Sequence, residues 1–102
     1  MTKQANAARG EAAIPVGAEA IVLRPSFAAL VAAEEELGPL FALIERAAAG
    51  GLRLAEIAAL FWHCADGAAS RERIGEALAE QGLAKATPVL KILLSQILQG
   101  RV

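Results

Sequence analysis

The only histidine and the only cysteine of the chain, His63 and Cys64, are adjacent, and they are the side chains best suited to acid–base or nucleophilic chemistry. Neighbouring residues on a helix point about 100° apart, so these two cannot form a nucleophile and base pair with each other. No second histidine or cysteine is present to complete a metal site, and no glycine-rich phosphate loop follows a strand. We therefore predict no catalytic, cofactor or metal site and no enzyme activity. Cys64 is expected in the core and His63 at a partly exposed position.

The elements around these residues follow from a change of hydrophobic period at Pro25 and Ser26. Before this point apolar residues alternate with others, as in a half-buried hairpin over about residues 11–24, and after it they repeat at helical spacing. Proline favours an extended conformation in the residue before it, and the Ser26 hydroxyl can cap the first helical turn. The predicted fold class is α+β, mainly α, with an N-terminal β-hairpin packed on four or five short helices.

Glycine and proline divide the rest of the chain, about residues 26–99, into helices. The expected helices are about Ser26–Leu37, Pro39–Ala49, Leu54–Ala65, Arg71–Gln81 and a last one that begins between Leu83 and Pro88 and continues to Gln99. In the first helix Phe27, Leu30 and Val31 are expected to face the core. A chain of 102 residues can form one domain with a modest core, predicted here at residues 9–102 after a mobile tail of residues 1–8.

Charge and composition disfavour several classes of partner. Ten basic and eleven acidic residues give a net charge of −1, which offers no general attraction to nucleic acid or to an anionic membrane. The segment from Leu54 to Gln81 can also be drawn as a helix-turn-helix, with Arg71 and Arg73 at the start of a recognition helix. The glutamates of that helix would face DNA phosphates unfavourably, so we disfavour this interpretation.

The sequence also suggests a cellular location. No apolar run approaches the roughly 18 to 20 residues that span a bilayer, and the N-terminus lacks the apolar segment of a secretory signal. A single cysteine cannot form an intrachain disulfide, so nothing indicates an oxidising compartment. We therefore expect a cytoplasmic protein with no membrane partner.

The last helix carries the strongest indication of an interaction surface. It is apolar on most of its circumference and must be covered on most of it, either at the centre of the fold or by a second molecule. In the third helix Leu60 and Trp62 lie off the apolar stripe, so Trp62 either packs in the core or meets a partner. We favour a surplus apolar surface that binds helices, either of the chain's own copies or of a client. The candidate partner-binding residues are Leu60, Trp62, Leu90, Leu94, Ile97 and Leu98.

Three consecutive carboxylates, Glu34, Glu35 and Glu36, fall near the end of the first predicted helix. Negative charge at a helix C-terminus opposes the helix dipole, at a small local cost. The run is expected to be a solvated face or to attract a basic partner. Glu34 follows Leu30 by one turn and is expected to border the core.

Several of these residues together resemble a known family. The motif consists of Arg9, Gly10 and Glu11, then Leu23, Arg24, Pro25, Ser26 and Phe27, then Glu34 and Gly38. It is similar to the small tail-assembly proteins of the gene transfer agent and siphophage type, described as tail assembly chaperones and, under an older label, as tail tube proteins. The resemblance extends from about Asn6 to Gly100, and its specific part is residues 9–38.

The resemblance implies a protein that binds the long, helical tape-measure protein and keeps it soluble while tube subunits polymerise around it. The implied partners are the tape-measure protein and tail tube subunits, and self-association into a homo-oligomer is a further alternative. The alternative is a structural subunit that stays in the tube or its terminator. Tube subunits usually build rings from long β-sheets, and two short predicted strands argue against that alternative.

Overall fold

The computed structural model describes residues 11–100, which form an antiparallel hairpin followed by five helices. The elements are β1 (Ala12–Val16), β2 (Glu19–Leu23), α1 (Phe27–Leu37), α2 (Leu40–Ala48), α3 (Leu54–Ala65), α4 (Arg71–Gln81) and α5 (Leu83–Gln99). The predicted fold class, α+β and mainly α, is therefore confirmed. The tail predicted at residues 1–8 lies outside the described residues.

The hairpin closes through a two-residue turn and covers one side of the core. Val16 lies opposite Glu19, which leaves Gly17 and Ala18 as the turn. Gly17 has a φ of +62°, a value that glycine adopts without steric cost and that the first position of a type II′ turn requires. The side chains of β1 alternate between buried and exposed, and the hairpin contacts α3, α4 and α5.

The junction between the hairpin and the helical body is built as predicted. Ser26 is the N-cap of α1, and its hydroxyl oxygen accepts a hydrogen bond of 3.2 Å from the backbone N–H of Ala29. The backbone N–H of Arg24 donates to the carbonyl of Cys64 at 2.8 Å, across to α3. The end of the hairpin is thereby attached to the central helix, and the chain enters α1 in a defined direction.

The buried face of α1 differs from the prediction. Its fully buried side chains are Ala29 and Ala33, whereas Phe27 is 86% exposed and Val31 is also exposed. Leu30 is half-buried. The first seven residues of α1 are all apolar, so their spacing does not identify one inward face. The alanine face is the one that packs, because small side chains let two helix backbones approach closely.

The second helix is short and lies at the edge of the fold. Gly38 has a φ of +92° and ends α1, and Pro39 is the N-cap of α2 rather than its first residue as the sequence suggested. Only Leu43 of α2 is fully buried. The other apolar residues of this helix therefore contact the core partly or meet solvent.

The third helix is the centre of the molecule. Seven of its twelve residues are buried, and it contacts α1, α4 and β2. Phe61 is completely buried, and Leu60 is only 1% exposed. The prediction that Leu60 lies off the buried face and contacts a partner is therefore wrong: α3 is covered on several sides, so residues off its main stripe are buried too.

The last two helices follow each other with only Gly82 between them and are in contact. α4 begins after Ser70, whose hydroxyl oxygen accepts a 3.2 Å hydrogen bond from the Arg73 backbone N–H. α5 begins at Leu83, one of the two alternatives that the sequence left open, and Pro88 lies inside the helix. Only Ala86 and Leu93 of α5 are fully buried. The last helix is therefore not the central helix of the fold.

Candidate partner-binding surface

His63 and Cys64 lie on α3 and point to different surroundings. Cys64 is buried, and this burial raises the pKa of its thiol to about 12. The Nε2 atom of His63 lies 2.8 Å from a carboxylate oxygen of Glu36 on α1. Among residues 11–100, no group of three or more His, Cys, Asp or Glu side chains is arranged to hold a metal ion.

Glu36 is the centre of a polar network between α1, α3 and α4. It accepts a hydrogen bond of 2.9 Å from the Arg71 guanidinium and contacts His63. The hydrogen bond from Arg71, and after it the one with His63, lowers the pKa of the Glu36 carboxyl. The hydrogen bond to Glu36 also raises the pKa of the Arg71 guanidinium. Part of the acidic triplet therefore joins helices to one another. Glu34, which is exposed, also has a local role, since its carboxylate accepts from the Leu40 backbone N–H at 3.1 Å.

Trp62 is half-buried beneath the first residue of α4. The Arg71 guanidinium carbon lies 4.3 Å from the centre of the indole ring, a cation–π arrangement. The His63 ring meets the indole edge-on, with 4.8 Å between ring centres. Trp62 also packs against the core. A partner that contacts Trp62 must therefore approach beside Arg71, which already covers one face of the ring.

The motif residues that the structure describes lie mostly at the hairpin junction. The Nε atom of Arg24 donates to the Glu11 carboxylate at 3.1 Å, and Leu23 is completely buried. Pro25 and Ser26 form the junction itself. The motif residues Arg9 and Gly10 lie outside the described residues. Phe27 is the large apolar side chain of the motif that is exposed, and Ser26 and Glu34 are its exposed polar members among the described residues.

The candidate residues of α5 divide by exposure along the helix. Leu90 and Leu94 are half-buried and pack against the core. Ile97 is half-buried as well, and Leu98 is 52% exposed. Among the candidate residues of α5, the C-terminal ones are therefore the most exposed; at the other end of the helix Leu83 is exposed as well.

An apolar surface forms where this end of α5 meets α2. We name it the α2/α5 patch; it consists of Leu40, Phe41, Ile44, Ile97 and Leu98, with Glu34 at its border. These residues surround an open cavity of about 210 Å³. Small-molecule sites usually measure roughly 300–1,000 Å³, so this cavity suits an inserted side chain better than a ligand.

Phe41 is the largest exposed member of the α2/α5 patch, at 75%, and it was not predicted from the sequence. It lies on α2 next to Leu40, about 200° around the helix axis from the buried Leu43. The sequence did contain a signal for this exposure, because Phe41 is a large aromatic residue that lies outside the apolar face of a short helix.

The two arginines of the helix-turn-helix interpretation both meet carboxylates of the same chain. Arg71 contacts Glu36, and the Arg73 guanidinium lies 3.6 Å from Glu19 on the hairpin. Their charges are thus partly compensated inside the molecule.

Comparison with known proteins adds one finding. A family model described as "Phage tail tube protein, GTA-gp10" matches residues 9–100, although the chain matches no curated protein and no solved structure. Within residues 11–100, no helix is both long enough and apolar enough to span a bilayer. The family match covers the hairpin, its junction and the helical body, and it includes the motif from Arg9 to Gly38. This chain therefore belongs to the gene transfer agent type family of phage tail proteins.

Proposed function

We propose that the chain is a tail assembly chaperone that binds the tape-measure protein and assists assembly of the tail tube. Membership of the phage tail family supports a role in the tail. The observation that carries the chaperone role is the exposed α2/α5 patch on a small, mostly helical fold. Apolar surface of this kind marks a site of interaction in a small domain.

The geometry of the patch fits a helical client. Phe41 and Leu98 project from two different helices and border one cavity, so a side chain of a third helix can insert between them. Contact through large, exposed side chains needs few directional hydrogen bonds. Such a surface accepts many apolar sequences, which suits a long client with many similar helical segments.

The family description supports a second candidate, a structural subunit of the tail tube. A ring wall formed by sheet edges needs strands long enough to pair between subunits. The sheet of residues 11–100 has two strands of five residues each, and its outer surface is small. This favours the chaperone over the tube subunit.

The test is co-expression with the tape-measure protein of the same gene cluster, followed by size-exclusion chromatography with light scattering. We expect the client to elute in complex with the chain and to precipitate without it. The double variant Phe41→Ser with Leu98→Ser should lose the complex while it unfolds at nearly the same temperature as the parent.

The matched control is Leu83→Ser, at the opposite end of α5, where Leu83 is 45% exposed. This change removes a similar apolar side chain and should leave the complex intact. If the double variant and Leu83→Ser lose the complex equally, or if the double variant keeps it, the α2/α5 patch is not the client-binding site. Mass spectrometry of purified particles then decides between the two candidates, since a tube subunit must be abundant in them and a chaperone scarce.

A further inference from the structure

A second, larger groove lies on another side of the molecule, between the end of α1, the first half of α3 and α4. Its volume is about 740 Å³, more than three times that of the cavity in the α2/α5 patch. We name it the α1/α3/α4 groove. The residues of α4 that line it extend from Arg71 to Ala79, about 12 Å along the helix axis. A groove of this length accommodates about two turns of another helix.

The floor of the α1/α3/α4 groove is apolar and made of small side chains. Ala55 and Ala58 lie one turn apart on α3, and Gly75 and Ala79 lie one turn apart on α4. Leu37 of α1 and Leu54 of α3, which have larger side chains, also line the groove. Small side chains at this spacing on two adjacent helices allow a third helix to approach closely.

Gly75 is informative because the packing of α3 on α4 does not require it. A Cβ atom at this position would lie 3.9 Å from the Ala58 Cβ, an ordinary van der Waals distance. Glycine in the interior of a helix destabilises it by roughly 1 kcal/mol relative to alanine. The glycine therefore does not serve the internal contact, and its effect is to keep the floor of the groove open.

The rim of the α1/α3/α4 groove is acidic. Glu36, Glu56, Glu72 and Glu76 line it, together with one cation, Arg71. That cation already contacts Glu36, and Arg46 lies 2.7 Å from Glu56. Within residues 11–100, the exposed Glu72 and Glu76 form no ion pair closer than 4.0 Å. Their negative charge is available to a partner.

We propose that the α1/α3/α4 groove binds an amphipathic helix whose small apolar side chains enter the groove and whose lysine or arginine side chains meet the acidic rim. Charge complementarity selects this partner over an acidic or neutral helix, because the rim has an excess of carboxylates in a chain of net charge −1. The inference does not depend on the chaperone proposal, since it concerns another surface and another kind of partner.

The probe is a designed helical peptide of about 18 residues, with alanine and leucine on one face and lysine along both edges. Binding is measured by calorimetry and by the emission of Trp62, the only tryptophan, which lies beneath the groove residue Arg71. We expect binding that weakens as salt concentration rises. A peptide with glutamate in place of every lysine should bind at least about tenfold more weakly.

Two sets of variants locate the site. Glu72→Gln with Glu76→Gln should weaken binding of the lysine peptide about fivefold to tenfold, because each exposed carboxylate contributes modestly. The control is Glu35→Gln with Glu45→Gln, which removes the same charge from exposed positions outside the groove. Gly75→Leu fills the floor of the groove with a large side chain and should abolish binding of the lysine peptide. Gly75→Ala adds only a methyl group, keeps the fold, and tests whether open space at this position matters for binding.

The inference is wrong if the two peptides bind equally, if both pairs of carboxylate variants weaken binding alike, or if Gly75→Leu leaves it unchanged in a protein that still unfolds cooperatively. Light scattering that reveals a dimer dissociated by Gly75→Leu would also overturn it. The groove would then hold a second copy of the chain.

Discussion

The two longest helices, α3 and α5, each contain ten apolar residues but have different positions in the molecule. Seven residues of α3 are buried, and its neighbours surround it, whereas two residues of the longer α5 are fully buried. The polar network of Glu36, His63 and Arg71 further joins α3 to α1 and α4, while the lysines of α5 form no ion pair among residues 11–100. The apolar content of a helix therefore does not reveal whether it serves the core or an interface; the number of elements around it does.

The largest expected effect tests the central position of α3. Leu60→Ala should lower the free energy of unfolding by about 3 kcal/mol, because it leaves a cavity beside a fully buried position. Leu98→Ala on α5 should change it by less than about 0.5 kcal/mol. Urea denaturation followed by circular dichroism measures both. Equal losses would show that α5 is as deeply packed as α3.

A second pair of variants tests whether α5 is buried on one side only. Leu93 is completely buried, and Leu94, its neighbour, is half-buried. Leu93→Ala should lower the free energy of unfolding by roughly 2–3 kcal/mol, and Leu94→Ala by about 1 kcal/mol. The same denaturation experiment compares them. A larger loss for Leu94 would mean that the buried face of α5 is misassigned.

The smallest expected effect concerns the polar network around α3. Glu36→Gln should lower the free energy of unfolding at pH 7 by about 0.5–1 kcal/mol, the range of exposed ion pairs. The pKa of Glu36 is lowered in the folded chain from 4.5, so its contribution is present above that pH and is lost as the pH falls through the lower, folded value.

The difference between parent and Glu36→Gln should therefore decrease as the pH is lowered below 4.5. Thermal unfolding at pH 7 and pH 3 measures it, with Glu35→Gln as the control for loss of an exposed charge. A difference that is the same at both pH values would assign the effect to packing around the side chain rather than to its charge.

The sequence predicted the elements well because their boundaries depend on local chemistry. Gly82 and the hydroxyl groups of Ser26 and Ser70 determine where helices begin or end, and the structure agrees with each of these positions. The hairpin at the N-terminus followed from alternation alone. These signals act within a few residues, so they can be read without knowledge of the fold.

The sequence failed where burial depends on distant neighbours. Phe27 and Val31 were expected in the core, yet α1 packs through its alanines, and the choice between two apolar faces depends on α3. Leu60 was expected at the surface, but the face of α3 on which it lies is covered by other elements. Phe41 was missed because its exposure becomes significant only when α5 ends beside α2. Family membership could be predicted, since its motif lies at the locally determined hairpin junction.

The burial of Cys64 makes the chain convenient for labelling. With a thiol pKa of about 12, the reactive thiolate form is a fraction on the order of one in ten thousand at pH 8, and the side chain is shielded from solvent. A cysteine introduced at the surface, for example by Leu98→Cys, can therefore be modified selectively while the native cysteine stays in place. A fluorophore or cross-linker attached there would report which molecule approaches this end of the protein during assembly.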